Sequence, residues 1–228
     1  MLKLESKFNI SELIGHDVTF ANPYSWQLLS EADPKAIAQF KIFVDGILLV
    51  KVNNFFTGDK IDRYSFDDTS IAPIVFKYAC DHKQSIYLAG GVPGVTKSAK
   101  EYISMNNPSI NIIGNCAGYF ASNEERGKSL NEALKSDIVI VGMGTPYQEY
   151  FLTDLRNKGW KGTGFTCGGY MDQLVESKGG NYYPDLVNKW NVRALYRLFR
   201  EPGRLWKRYL IMYPLFLYSY LKSKRNKG

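Results

Sequence analysis

Short apolar runs that end in glycine or a polar turn alternate along this chain with stretches of helical spacing, the pattern of strands alternating with helices. Ser85-Ile-Tyr-Leu-Ala-Gly-Gly-Val-Pro-Gly-Val-Thr96 shows it most clearly: a β-rich run reaches Gly90 and Gly91 and turns at Pro93-Gly94. It then opens a helix predicted over Thr96 to Met105, with Thr96 as N-cap. The next unit has Asn111-Ile-Ile-Gly114 as strand, Cys116-Ala-Gly-Tyr-Phe120 as loop and Asn123 to Leu134 as helix. Asp137-Ile-Val-Ile-Val-Gly-Met-Gly144 follows, a continuous apolar run of the kind a parallel strand covered on both faces shows, with a helix to about Lys158 behind it. Thr163 to Cys167 reads as one more strand, ending at Gly168-Gly169.

Repeated strand–turn–helix units predict an α/β fold, a Rossmann-like, mostly parallel sheet with helices on both faces. Its glycine-bearing turns share the rim at the carboxyl ends of the strands, where ligands bind in such sheets. The organisation expected is one α/β domain over residues 1–188 and a helical appendage over 189–228. With 45% hydrophobic and 22% charged residues the chain is globular, which excludes a disordered class.

Charge changes the picture once it is located. The formal net charge is +7, yet residues 189–228 carry eleven Lys or Arg against the single acid Glu201, so everything before them is slightly acidic. That asymmetry implies an anionic partner for the tail: a membrane surface, a nucleic acid or a phosphorylated substrate. Arginines there interleave with aromatics, giving a basic edge beside an apolar stripe of Leu195, Leu198, Phe199, Leu205, Trp206 and Tyr209, the pattern of an interfacial segment. A core-facing helix would share the stripe. The apolar run Ile211 to Leu217 follows at once and favours acyl chains over a phosphodiester backbone. Tyr209 to Leu221 is too short for a spanning helix, which needs roughly 20 residues. The final Lys222 to Gly228 reads as a linker-like end. Cys80, Cys116 and Cys167 show neither disulfide nor zinc spacing, and Met1 to Ile10 lacks the apolar core of a signal peptide, so a cytoplasmic setting is expected.

Three features carry candidate chemistry. The turns at Gly90-Gly91, Gly118-Tyr119 and Gly142-Met-Gly144 offer backbone amides and helix N-termini to a phosphate, although they match neither G-x-G-x-x-G nor a Walker A loop and would also serve as plain tight turns. Beyond Pro146, Gln148 presents an amide that can both donate and accept, and Glu149 a carboxylate able to cap amides, hold an arginine or simply satisfy the helix dipole. In Phe43-Val-Asp-Gly-Ile-Leu-Leu-Val50, Asp45 sits at a glycine turn inside apolar sequence. Desolvation there would raise its proton affinity and suit a general base; a surface Asp-Gly turn is the alternative.

Leu88-Ala-Gly-Gly-Val-Pro-Gly-Val95, Gly118-Tyr-Phe120, Asp137 to Glu149, Gly168-Gly169 and Leu195-Tyr-Arg-Leu-Phe-Arg-Glu-Pro-Gly-Arg-Leu-Trp-Lys-Arg-Tyr-Leu210 occur in this order, and the set resembles the WecG/TagA/CpsF glycosyltransferases from about Asn22 to Leu210. The resemblance implies inverting transfer of a sugar, typically N-acetylmannosamine or a related hexose, from a UDP donor to an undecaprenyl-diphosphate-linked saccharide. It implies no required metal and a place at the inner face of the cell membrane. By the same resemblance the base is Asp45, Arg63 and Gln148 match further site positions, and Arg197, Arg204 and Arg208 reach the donor diphosphate. Asn22 then joins Gln148 in holding sugar hydroxyls, while Gly90, Gly91, Gly118, Tyr119, Gly142, Gly144, Pro146 and Glu149 line the UDP-sugar. Departures from the family pattern at Phe20-Ala21 and Val192-Arg193-Ala194 fall on the substrate side. The partners expected are the polyprenyl-diphosphate-linked acceptor and an anionic membrane surface, with no nucleic acid; a homo-oligomer is compatible with the sequence. A catalytically silent, membrane-docked binding protein of a polysaccharide assembly complex is the competing class.

Overall fold

The computed structural model describes residues 2–58, 60–180, 182, 196, 198–199 and 202–225. Six strands form one wholly parallel sheet: β1 (Asp17–Ala21), β2 (Phe40–Val44), β3 (Ser85–Gly90), β4 (Asn111–Cys116), β5 (Ile138–Gly142) and β6 (Thr163–Thr166), in the order β2-β1-β6-β5-β3-β4. The α/β reading of the sequence therefore holds, as does its sense of a run buried on both faces, since every residue of β5 is buried.

Strand side chains alternate strictly between two cores. Tyr87, Ala89, Val139 and Val141 point to one face, covered by α2 (Pro23–Glu31), α3 (Pro34–Ala38), α4 (Ile47–Thr57), α7 (Asn123–Ala133) and α8 (Tyr147–Asn157). Ile86, Leu88, Ile138 and Ile140 point to the other, covered by α1 (Ile10–Leu13), α5 (Ile71–Asp81), α6 (Val95–Asn106) and α9 (Tyr170–Glu176). The chain must change faces between α4 and α5, so residues between them run across the carboxyl rim. There Arg63 makes a parallel bridge to Val44 and the Tyr64 amide donates to the Val44 carbonyl at 2.8 Å.

Local boundaries differ from the sequence expectation at three places. Helix α6 starts at Val95 behind Gly94, which has a φ of 97° and no side-chain cap, and the hydroxyl of Thr96 instead donates to Asn115 Oδ1 at 3.2 Å. Strand β4 continues past Gly114 to Cys116, because β3 offers it a ladder partner as far as Ala89. The C-terminal stretch expected to be linker-like is helical through Arg225.

That stretch comprises α10 (Pro202–Lys207), a π-helical segment (Arg208–Met212) and α11 (Tyr213–Arg225). Pro214, which has no N–H to donate to the preceding turn, lies where the π-helical segment passes into α11 within a helical run continuous from Pro202 to Arg225. The apolar run is only partly available to a bilayer: Phe216 and Tyr220 are wholly buried, with Trp26 ring contacts at 6.3 and 5.6 Å, and the Tyr220 hydroxyl donates to Asn53 Oδ1 at 2.7 Å. Phe199, Trp206, Leu210, Ile211, Leu215 and Tyr218 stay exposed. The expected domain boundary at 188/189 lies outside the described residues. Among those residues no helix is long and apolar enough to cross a membrane.

At the amino end of β1, Arg156 from α8 forks onto the carboxylate of Asp17, with Nε to Oδ2 at 2.9 Å and Nη2 to Oδ1 at 2.8 Å, and reaches the carbonyls of Trp160 and Gly162. The Asp17 side chain is 1% exposed, and its burial pushes the carboxyl above the usual range despite that partner. Removing one member of such a pair strands the other charge. Arg156→Ala should lower unfolding free energy by about 3–5 kcal/mol in urea titrations, against near-neutral effects for the exposed pair Lys77–Asp81.

Candidate functional site

Every turn after a strand opens on one rim, and the turns touch. A side chain on Gly90 would fall on the Gly142 carbonyl, and a Cβ on Gly142 would lie 2.6 Å from the Gly168 carbonyl oxygen, so only glycine allows these strand ends to approach. The Gly91 amide donates to the Gly142 carbonyl at 3.0 Å and the Gly118 amide to the Gly91 carbonyl at 2.8 Å. The expected glycine turns thus form one connected floor. It lies where β3 leads outward to β4 and β5 leads back toward β6, a reversal of winding direction that opens a crevice in parallel sheets. Tyr119 stands at its edge, 72% exposed, and Pro146 immediately precedes α8.

Gln148 and Glu149 lie in the first turn of α8, both turned inward. The Gln148 amide donates to Thr145 Oγ1 and to Glu149 Oε1, each at 3.2 Å, and its Oε1 accepts from the Gly168 amide at 3.3 Å, so it ties the β5 turn to the β6 turn. Glu149 is fully buried and pairs with no arginine among the described residues; the Thr19 hydroxyl donates to its Oε1 at 2.6 Å, and Thr166 donates to Thr19 at 2.9 Å. Its Oε2 has no hydrogen-bond partner among the described residues. Burial pushes the Glu149 carboxyl up, against the hydrogen bonds from Thr19, Gln148 and Thr145. Thr19 and Thr166 escape a sequence reading, because a threonine in a strand is ordinary and only the β1–β6 pairing puts these two beneath α8.

At the β1 and β2 end of the same rim, Asn22 caps α2 through Oδ1, accepting from the amides of Tyr24 at 2.9 Å and Ser25 at 3.0 Å in a reciprocal capping box. Its Nδ2 donates to none of the described residues. Asp45 follows β2, its amide donating to the Ala21 carbonyl at 2.8 Å, and Gly46 brings its backbone against the Asn22 side chain. The desolvation expected for Asp45 is not what the structure shows: its side chain is 34% exposed, and Arg63 Nη2 donates to Oδ1 at 2.9 Å. The flanking apolar residues of strand and helix point to the cores, leaving the turn residue at the surface. Arg63 also reaches Asp67 at 3.6 Å, a second anchor the sequence did not single out. Asp45 and Gln148 therefore share one rim, with β1 and β6 between their strands, a separation of roughly 14 Å at the usual strand spacing.

Arg197 lies outside the described residues, as do the side chains of Arg204 and Arg208, whose backbones belong to α10 and the π-helical segment. Among the described residues no group of three or more His, Cys, Asp or Glu is placed to hold a metal.

Comparison with known proteins gives the chain's relatives. Residues 10–228 match the profile of the Glycosyl transferase WecG/TagA/CpsF family. The chain is 37% identical over 211 residues, 92% of its own length and 87% of the relative's, to the UDP-Gal:alpha-D-GlcNAc-diphosphoundecaprenol beta-1,4-galactosyltransferase of Shigella boydii. It is 28% identical over 228 residues, covering 97% of itself and 85% of the relative, to the N-acetylglucosaminyldiphosphoundecaprenol N-acetyl-beta-D-mannosaminyltransferase of Bacillus subtilis (strain 168).

For a carboxyl raised by burial, the folded state holds its proton to higher pH than the unfolded chain, so stability is greatest below the unfolded value and falls as pH rises toward the folded one. Glu149→Gln should flatten that fall in denaturation midpoints measured from pH 4 upward, whereas substitution of exposed Glu124 should leave the wild-type slope.

Proposed function

Because the chain belongs to the WecG/TagA/CpsF family of glycosyltransferases, we propose that it moves a hexosyl group from a UDP-sugar to a saccharide carried on a polyprenyl diphosphate, in the assembly of a cell-surface polysaccharide. The observation that supports this most is the Asp45–Arg63 pair standing on the same rim as the glycine floor. A base and a nucleotide-binding crevice are the two parts a single-displacement transfer needs. The beta products in the relatives' names are what such a displacement yields from an alpha-linked nucleotide sugar. UDP-galactose is the donor to try first and UDP-N-acetylmannosamine the second, in the order of the relatives' identities.

The chemistry follows from the groups. The donor diphosphate lies over the crevice beside Gly90, Gly91, Gly118, Gly142 and Gly144; the Gly91 and Gly118 amides hold the floor together, and the N-termini of α6 and α8 behind the turns supply the favourable dipole. Asp45 accepts the proton of the acceptor hydroxyl as its oxygen attacks the anomeric carbon; the bond to UDP breaks, and the sugar inverts. Arg63 fixes one carboxylate oxygen and leaves Oδ2, which accepts from none of the described residues, for that proton. Asn22, whose Cβ lies against Gly46, has Nδ2 to donate to a sugar hydroxyl. Gln148 holds the β5 and β6 turns at the spacing the donor requires. Charge on departing UDP is neutralised by the cationic tail, Arg197, Arg204 and Arg208 among it, a task metals perform in other transferases. The basic and aromatic tail also suits an anionic membrane surface at the cytoplasmic face, where a lipid-linked acceptor resides.

Asp45→Asn should lower kcat by about 10²- to 10⁴-fold, the usual contribution of a positioned base, while UDP affinity by calorimetry changes less than twofold. Turnover near wild type on a GlcNAc-diphosphate lipid would remove Asp45 from the reaction.

A further inference from the structure

Helix α4 leaves the rim directly behind Asp45 and Gly46, and it is apolar on both sides. Leu49, Val50 and Asn53 point into the core. On the opposite side Ile47 is 39%, Phe55 82% and Phe56 49% exposed, Lys51 is exposed, and Leu48 and Val52 are half-buried. Positions 47, 51 and 55 form one helical stripe and 48, 52 and 56 the stripe beside it, so the uncovered surface is continuous from the base to the C-terminal end of the helix. A single exposed phenylalanine is ordinary. Two of them with ring centroids 4.9 Å apart, at the end of an apolar track that starts at the proposed base, form an exposed aromatic patch.

The helix is also held rigidly. Asn53 accepts from the buried Tyr220 hydroxyl, and the Asn54 side chain both donates to the Ile61 carbonyl and accepts from the Ile61 amide at 3.0 Å. The turn after α4 is thereby fixed on its way to Arg63.

Resting on the function proposed above, we propose that this face of α4 seats the polyprenyl diphosphate of the acceptor, with Lys51 against the diphosphate and Val52, Phe55 and Phe56 against the first isoprene units. The order of groups along the helix carries the assignment. Lys51 lies about 6 Å and Phe55 about 12 Å along the axis from Ile47 at 1.5 Å per residue. A lipid-linked saccharide whose hydroxyl meets Asp45 presents, in sequence, a sugar ring, two phosphates and hydrocarbon. A sugar ring and a diphosphate are each about as long as one helical turn, roughly 5.4 Å. Acid acceptor, cation and aromatic pair are thus spaced as that molecule needs. Lys51 makes no ion pair with any described residue, which leaves its charge for an anion. A bilayer surface would match a broad apolar face ringed by cations; the stripe is one helix wide, with its cation in line.

The test uses the full chain in detergent solution, with polyprenyl diphosphate lacking any sugar as the probe, so that no turnover is needed. Wild type should bind it; Phe55→Ser/Phe56→Ser should weaken binding about a hundredfold, two apolar side chains at about tenfold each, and Lys51→Ala about tenfold for one lost charge contact. In transfer assays the double variant should also reduce about a hundredfold the kcat/KM preference for a polyprenyl-linked over a methyl-linked saccharide diphosphate. Wild-type affinity for the probe in both variants would overturn the proposal. So would unchanged probe binding accompanied by lost retention on phosphatidylglycerol vesicles, which would assign the face to the bilayer. Probe binding that behaves as expected in a protein that transfers no sugar would sink the glycosyltransferase reading and leave this inference standing.

Discussion

The approach of three parallel strand ends at Gly90, Gly142 and the Gly168 turn is the constraint on which the rim depends. A β-carbon at either of the first two positions would occupy a neighbouring backbone carbonyl, so the turns can lie edge to edge only as bare main chain. The main chain so packed lies at the place where the sheet's winding reverses, with the Gly91 and Gly118 amides donating within the floor itself. The crevice and the contact between its turns come from one cause.

The two ends of the rim are stabilised by different means. Over β5 and β6 a buried chain of hydroxyls, Thr166 to Thr19 to Glu149, supports the Gln148 amide from below and closes in a dry environment. Over β1 and β2 the partners are an ion pair and a helix cap with access to solvent, Arg63 on Asp45 and Asn22 on α2. A fixed, dry end suits the group that is held, and a wet, charged end suits the group that gains or loses a proton.

Much of this was legible in the sequence, for identifiable reasons. Continuous apolar runs closed by glycine marked β3 and β5, since a strand buried on both faces has no polar position to spare. The Asp45 turn and the glycine floor were found from residue type and placement. What escaped depended on contacts far apart in the chain: Thr19 on Glu149 spans 130 residues, and Tyr220 on Asn53 spans 167. Of the two environments the sequence allows for Asp45, the structure has the surface Asp-Gly turn, because the neighbouring apolar residues point away from it in space. Phe216, inside the run Ile211 to Leu217 that favours acyl chains, meets Trp26 instead, because an apolar helix side shows the same pattern whether it faces lipid or protein.

The bond between Tyr220 and Asn53 gives the last helix a role in the geometry of the first half of the chain. Asn53 is on α4, two turns beyond Asp45, and the phenol that satisfies it comes from the C-terminal segment. Lifting that segment away would uncover Trp26 and leave a buried amide oxygen without its donor, so the position of the tail and the set of the helix behind the carboxylate are one equilibrium rather than two.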